Sequence, residues 1–327
     1  MSLWLNKSVL ITGGLGMLGS TIATKLVKLG ANVTVLDALL PGHGGNKFNV
    51  NDVLDHIEIV IGDIRDKELV VTVVDNKDII FNLAAQVNYT ESVKNPYLDL
   101  DINCNGHLNI LEACRKSTVK PLVIFSSSRM VYGKTKEILI DESHETNPLM
   151  PYAIHKLTGE KYHLMYWKDF GVPCMIVRIA NPYGPRQQME HSGYGILNWF
   201  IKLAMSNNEI QIFGTGEQMR DYVYVEDICN AMIKLAEKDN HYGNIFNLGS
   251  GEGTSFKEMV NTIVDVVGRG SIQYVDWPQN YSNVETGDYI SNIEKLKSYI
   301  DWFPDFNLRT GIAKTFEYYV QYKKNYW

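Results

Sequence analysis

The 327-residue sequence is short of everything that would mark a secreted, metal-binding or membrane protein. It has four cysteines (Cys104, Cys114, Cys174 and Cys229) with no CxxC pair or other metal-ligand spacing among them. A disulfide framework and a thiolate metal site are therefore not expected, and buried thiols in a reduced, cytoplasmic protein are. The eight histidines form no HxH or HExxH pair, so no metal is expected. No block of like charges occurs, and a formal net charge of −6 argues against a nucleic-acid surface; an anionic ligand must be met by a few local cations. The start of the chain enters a strand almost at once, without the basic and long apolar segments of a signal peptide, so none is expected. No apolar run approaches the roughly 20 residues of a membrane span, so no membrane partner is expected either.

What is present is an ordinary globular composition, 45% hydrophobic and 21% charged, with enough apolar residues for a large core. Short apolar runs alternate with helical patterns: Ser8–Thr12, Asn32–Leu36, His56–Val60, Ile79–Leu83 and Leu122–Phe125 read as buried strands. Amphipathic stretches lie between or after them, at Leu18–Leu29, Ile102–Lys116 and Tyr152–Phe170, and Val172–Ile179 reads as a further strand. Such alternation implies an α/β fold, a doubly wound parallel sheet covered on both faces. The pattern loosens after "NPYGPRQ" (Asn181–Gln187). The expected division is a first domain over 1–180 and a smaller, mixed C-terminal domain over 181–327, with segments near 220–248 returning to the first.

The segment "ITGGLGMLGS" joins the first strand to the first helix, with Gly13, Gly16 and Gly19 spaced GxxGxxG. A tight turn, backbone approach to a pyrophosphate and close helix–sheet packing each favour a residue without a Cβ, and the helix N-terminus adds N–H groups and a positive dipole end. Any tight strand-to-helix turn would use some of these glycines, so context decides. Asp37 closes the second strand 18 residues after Gly19 (37 − 19). That is near the ~20-residue interval expected of a carboxylate that binds the adenosine ribose hydroxyls. It also repels a 2′-phosphate, favouring NAD over NADP. Gly13, Gly16, Met17, Leu18 and Gly19 are then the pyrophosphate loop of a Rossmann domain, and Asp63 and Ile64 of "GDIRD" flank the adenine.

Tyr152-Ala-Ile-His-Lys156 has YxxxK spacing, which puts a phenol and an ammonium on one helix face. The ammonium favours the phenolate and so lowers a pKa that starts at about 10 toward that of a general base. Tyr132/Lys136 and Tyr319/Lys323 share the spacing. The first follows a glycine turn that leaves its lysine solvated, and the second lies in an aromatic C-terminal helix. Only Tyr152 follows both a nucleotide loop and a serine-rich strand end, Ser126-Ser-Ser128.

TGGxGxxG, strand-terminal serines and YxxxK, in this order, resemble the extended short-chain dehydrogenase/reductases. More narrowly, the chain resembles the NAD-dependent nucleotide-sugar epimerase/dehydratase family over nearly its whole length. "NLAAQV" (Asn82–Val87) and "NCNGHLNILEAC" (Asn103–Cys114) match segments beside the cofactor; "VRIANPYGPRQ" (Val177–Gln187), "RDYVYVEDI" (Arg220–Ile228) and "NLGSGEGTSF" (Asn247–Phe256) match substrate-side segments. The resemblance implies NAD as cofactor, with Leu83, Ala84, Ala85, Gln86, Asn103 and Ser126 around it. It implies Ser128 as the hydrogen-bond partner of the reacting sugar hydroxyl, Tyr152 as base, and Lys156 as nicotinamide-ribose ligand and pKa modulator. A nucleotide-diphosphate sugar is the implied substrate: Arg220 contacts the diphosphate, Asn181 a phosphate or the sugar, and Phe213 the base, with Arg186 a further candidate. A homodimer is implied, paired through the helices near Asp99 and at Tyr152.

Two departures bear on the reaction. Nucleotide-sugar 4,6-dehydratases carry Asp-Glu directly after that serine, and the related decarboxylases keep the glutamate; this chain has Arg129 and Met130. Neither is a practical proton acceptor. Elimination lacks its acid/base pair, whereas hydride transfer at a carbinol carbon needs only the serine and tyrosine. The family also places a second phosphate-binding arginine two residues before a late Gly-Asp pair, here Gly287-Asp288, and this chain has Glu285 there. Arg269 or Arg309 would have to substitute, or the loop must pack differently. The expected activity is epimerisation of a nucleotide sugar, at C4 through a transient 4-keto intermediate. An NAD(P)H-dependent reductase of a 4-keto-6-deoxy sugar nucleotide would use the same residues, and a non-catalytic NAD-binding scaffold is the reading from another class.

Overall fold

The apolar runs fold as one parallel sheet. The computed structural model describes residues 2–238, 242–278 and 285–327. Its sheet comprises β1 (Ser8–Thr12), β2 (Asn32–Asp37), β3 (Ile57–Ile61), β4 (Ile79–Asn82), β5 (Leu122–Ser128), β6 (Cys174–Ile179) and β7 (Asn244–Leu248). The spatial order is β7-β6-β5-β4-β1-β2-β3, every pairing parallel. Side chains alternate between faces as a pleated strand demands. Val9, Ile11, Ile79, Phe81 and Ile124 enter one core with Ile22, Leu26 and Ile228. Leu10, Ile80 and Val123 enter a second with Val70, Ile110, Leu111 and Tyr166. Two covered faces explain why the strands read as unbroken apolar runs.

β5 runs three residues further than its apolar run: Ser126, Ser127 and Ser128 pair with Val177, Arg178 and Ile179 of β6. The hydroxyls are tolerated because each has a polar partner. Ser127 Oγ donates to Glu160 Oε1 at 2.5 Å, Ser126 Oγ to the Asn82 carbonyl at 3.4 Å, and Ser128 Oγ accepts the Met130 N–H at 3.2 Å.

The 20-residue helix Pro151–Phe170 starts on a proline, where an N–H would be unpartnered anyway, and ends at Gly171 in the left-handed region (φ 65°). Tyr152, Lys156, Gly159, Glu160 and His163 form its buried stripe. A Cβ at Gly159 would lie 2.8 Å from the Phe125 ring, so the glycine lets the helix settle against β5. After β6, Asn181–Tyr183 pairs with Tyr222–Tyr224, and Glu209–Phe213 with Ser271–Val275, both parallel. The helices Ile196–Met205, Phe256–Val267 and Leu308–Tyr322 pack around them. β7 returns from this later part to the sheet edge, and the helix Val225–Ala236 covers the face shared with Met17–Lys28. The cleft between the sheet's C-terminal edge and the later part holds the site.

Candidate active site

The strand order reverses at β1 and β4, where an open α/β sheet leaves a crevice. Thr12 staples the two strand ends: its Oγ1 donates to Asn82 Oδ1 at 3.0 Å and accepts the Leu83 and Ala84 N–H groups at 3.0 and 3.1 Å. The glycine loop lies directly on this junction. Gly13 has φ +65°, and a Cβ there would sit 2.9 Å from Ala84 backbone; a Cβ on Gly19 would sit 2.4 Å from the Gly13 carbonyl. The following helix, Met17–Lys28, has no side-chain cap on Gly16 and no acid in its first turn, so its orphan N–H groups face the cleft. An anion fits there. Asp37, at the tip of β2, accepts the Leu15 N–H at 3.0 Å and the Leu39 N–H at 2.9 Å and borders the same cleft. These residues fit a dinucleotide carrying a free ribose diol.

The cleft measures about 1100 Å³, more than the roughly 300–1,000 Å³ of a single small-molecule pocket. It has room for two ligands. Gly13, Gly16, Met17, Leu18, Gly19, Asp37, Asp63, Ile64 and Leu83 to Ala85 line one half; Asn181, Phe213 and Arg220 line the other; Ser126, Ser128, Tyr152 and Lys156 stand between. Gln86 and Asn103 lie beneath the lining. Asn103 bonds both the N–H and the carbonyl of Gln86 (3.2 and 2.8 Å), and both side chains donate to buried Asp99. Asp99 also receives His155 Nδ1 at 2.5 Å. This network holds the loop Leu83–Asn88 from below, and Asn103 reaches it from a π-helical turn, Asp101–Gly106.

Lys156 Nζ donates to the Ser126 carbonyl at 2.8 Å, tying the helix to β5. Burial pushes its ammonium down to about 8, opposed by Asp99. The Tyr152 phenol departs from expectation: it is pushed up, by burial first and then by Tyr89, with only a Ser128 hydrogen bond pulling it down. Lys156 does not offset this burial, since its hydrogen bond goes to the strand carbonyl and not to the phenol. Tyr89 went unnoticed in the sequence. Its ring lies 5.1 Å from that of Tyr152, at the start of the short helix Tyr89–Lys94, where no spacing rule points to it.

The other YxxxK pairs serve structure. Tyr132 donates to Asn247 Oδ1 at 2.7 Å while Lys136 is 85% exposed, and buried Tyr319 donates to the Gln187 carbonyl at 2.7 Å.

On the substrate side, Phe213 faces Trp277 at 5.7 Å, an aromatic pair at the cleft's far end. Arg220 is ion-paired with Glu285, and Asp221 and Asp227 are engaged elsewhere. The structure does not bring Arg186 to the cleft: it adopts φ 71° and turns its guanidinium to Thr21 (3.4 Å) and Asp52 (3.8 Å). Arg309 pairs with Asp265 on the exposed surface, and Arg269 is not a cleft residue. Among the described residues, the acids lining the cleft are Asp37, Asp63, Glu209 and Glu285. Asp37 and Asp63 belong to the dinucleotide half, and Arg220 holds Glu285. None adjoins Ser128, where Arg129 and Met130 follow.

A family model, the NAD dependent epimerase/dehydratase family, matches residues 9–249. A putative UDP-glucose 4-epimerase of Methanocaldococcus jannaschii is 36% identical over 324 residues, covering 97% of this chain and 98% of that one. An epimerase structure from Methanothermobacter thermautotrophicus superposes with a TM-score of 0.91 at 29% identity, covering 98% and 94%. The UDP-glucose 4-epimerase of Thermotoga maritima, solved with UDP-glucose, superposes with a TM-score of 0.87 at 30% identity, covering 96% and 99%. With matches of this extent on the fold and cleft described, the chain belongs to the NAD-dependent epimerase/dehydratase family, and NAD is its cofactor.

Proposed function

We propose that the protein is a nucleotide-sugar epimerase acting at C4 of a hexose held through its nucleoside diphosphate. One observation carries the reading: Ser128, Tyr152 and Lys156 line the cleft together, and among the described residues no cleft-lining carboxylate adjoins them, Asp99 being fully buried beneath the lining. The likeness to named UDP-glucose 4-epimerases supports it. Tyr152, as phenolate, takes the proton of the C4 hydroxyl, and the Ser128 hydroxyl orients that oxygen. Bound NAD supplies the hydride acceptor and, when oxidised, a positive charge that favours the phenolate. Lys156 holds its helix to β5 and presents an ammonium to the nicotinamide ribose. Once the keto sugar has turned over, Tyr152 would return the proton to the C4 oxygen. Arg129 and Met130 offer no acid or base for elimination at the neighbouring carbons. Gly13 to Gly19 and Asp37 bind the pyrophosphate and adenosine ribose, and Phe213 lies against the base.

The test has two parts. Denatured, freshly purified protein should release about one NAD per chain, because an epimerase regenerates its cofactor each cycle. The intact protein should then interconvert a C4-epimeric pair such as UDP-glucose and UDP-galactose without added cofactor. An empty protein that consumes NADH or NADPH with a 4-keto sugar nucleotide would overturn the reading. A homodimer is proposed through the helices Pro96–Leu100 and Pro151–Phe170, where Tyr97 and Ile154 are 80% and 48% exposed. A sedimentation mass of one chain at micromolar concentration would contradict it.

A further inference from the structure

We propose that Arg129 is the cation that meets the substrate's diphosphate in this chain, a task left open where Glu285 replaces the expected arginine. The inference rests on the reading that a nucleoside-diphosphate sugar occupies this half of the cleft.

Arg129 directly follows Ser128, lines the cleft and is 7% exposed. Its partners are all neutral: Nη1 donates to Thr286 Oγ1 at 2.9 Å, Nε donates to Asn181 Oδ1 at 3.3 Å, and the guanidinium lies 5.3 Å from the Tyr289 ring centroid. Among the described residues it makes no ion pair. A buried charge without a counter-ion is costly, and such groups are normally paired. Arg178, the other buried arginine of β5's neighbourhood, shows the usual solution: Glu160 clasps it with two bonds, at 2.9 and 2.7 Å.

The neighbouring charge deepens the imbalance. Arg220 lies close enough to Arg129 to disfavour its charged form, which burial disfavours more strongly. Among the described residues the carboxylate of the group is Glu285, whose favourable effect on Arg129 is the smaller because it is held by Arg220 and by the Gly287 N–H at 3.0 Å. Arg220 Nη1 is spent on the Met219 and Gly287 carbonyls, both at 2.8 Å. Arg129, Arg220 and Glu285 thus sum to one surplus positive charge. A neutral sugar hydroxyl cannot balance it; a diphosphate can. The guanidinium fork also matches phosphate oxygens in geometry. Reach explains the placement: from the end of β5 the long side chain crosses to Thr286, next in sequence to the position where an arginine was expected.

The experiment is calorimetric titration of NAD-loaded protein in a Tyr152→Phe background, so that binding is read without turnover. Ligands are UDP, CDP and dTDP with their nucleosides, then UDP-glucose and UDP-glucuronate. For the preferred base, the nucleoside-to-diphosphate ratio of Kd values should fall roughly 10- to 100-fold in Arg129→Met, with UDP-glucose weakened in step. Arg129→Lys keeps the charge without the fork and should lose less. The ratio isolates the phosphates from general damage, and if Arg129→Met does not fold, a several-fold drop in Arg129→Lys carries the test. An unchanged ratio in a folded variant overturns the proposal. So does a loss confined to UDP-glucuronate, which would make Arg129 a reader of a sugar carboxylate. Wild-type protein that prefers no nucleoside diphosphate over its nucleoside would instead sink the reading on which the proposal rests.

Discussion

Asp37 reaches back 22 residues to accept the Leu15 N–H at 3.0 Å, so the tip of β2 holds the glycine loop in place. The same carboxylate borders the cleft where the adenosine ribose is proposed to lie. Asp37→Asn should therefore do two things at once. It weakens the loop's anchor, and it removes the charge that repels a 2′-phosphate. The expected result is a Kd for NAD raised roughly 10-fold and an NAD-over-NADP preference reduced by at least that factor. Fluorescence titration with each cofactor measures both, and an unchanged preference would remove Asp37 from the cofactor site.

Tyr152→Phe tests the chemistry alone. The phenol is 6% exposed, and phenylalanine fills the same space, so fold and cofactor content should be retained. Turnover should fall by roughly 10²- to 10⁴-fold, the contribution of a positioned acid/base group, with KM little changed. Ser128→Ala should cost less, because it removes orientation and not the proton carrier. A Tyr152→Phe enzyme with near-normal kcat would overturn the mechanism.

Where local rules operate, the sequence was readable. Strands buried on both faces leave apolar runs, and the cofactor loop leaves glycines because Ala84 backbone crowds a Cβ on Gly13 and Gly13 backbone one on Gly19. What was not readable depends on long-range partners. Serine is no strand former, and Ser127 belongs to β5 because Glu160, 33 residues on, receives its hydroxyl. Arg129 finds Thr286 across 157 residues, and Arg186 is drawn from the cleft by Asp52, far from it in sequence. Gln86 and Asn103 mark the cofactor region by resemblance, yet only coordinates place them one layer beneath it.

The Glu160–Arg178 pair lies under the serine strand, with side chains 1% and 4% exposed. Arg178 also sits 4.7 Å over the Tyr132 ring. Glu160→Gln leaves that guanidinium buried without a counter-ion, which costs about 3–5 kcal/mol. A fall in Tm of several degrees is expected, with loss of activity following loss of fold. Replacing both residues by apolar ones should recover much of the stability, since the pair itself is close to neutral in net energy. Denaturant titration of the single and double variants separates the two cases.

His107 and His163 set the acid limit of stability. Both are fully buried around Phe125, His163 stacked on its ring at 4.2 Å and His107 edge-on at 4.9 Å. Burial drives both down, His163 to about 4, and the 2.7 Å bond between its Nδ1 and the Gly159 carbonyl opposes that shift only in part. Below an unfolded-state value of about 6.5, the unfolded chain binds protons that the folded chain refuses. Stability is therefore full above pH 6.5 and falls as pH drops toward 4, by roughly 3 kcal/mol for His163. Asp63 and Glu112 are pushed up by burial but pulled lower overall by Arg65, and by Tyr166 and Arg115, so their contribution is lost only under more acidic conditions. Asp227, raised by burial to about 6, takes up a proton in the folded state across the window from pH 6.5 to 5 and offsets part of the loss, so the comparison with a histidine variant is what isolates His163. Tm should decline across it in the wild type and decline less in His163→Gln, which has no imidazole to charge. Equal slopes for the two proteins would show that His163 is not the group refusing the proton.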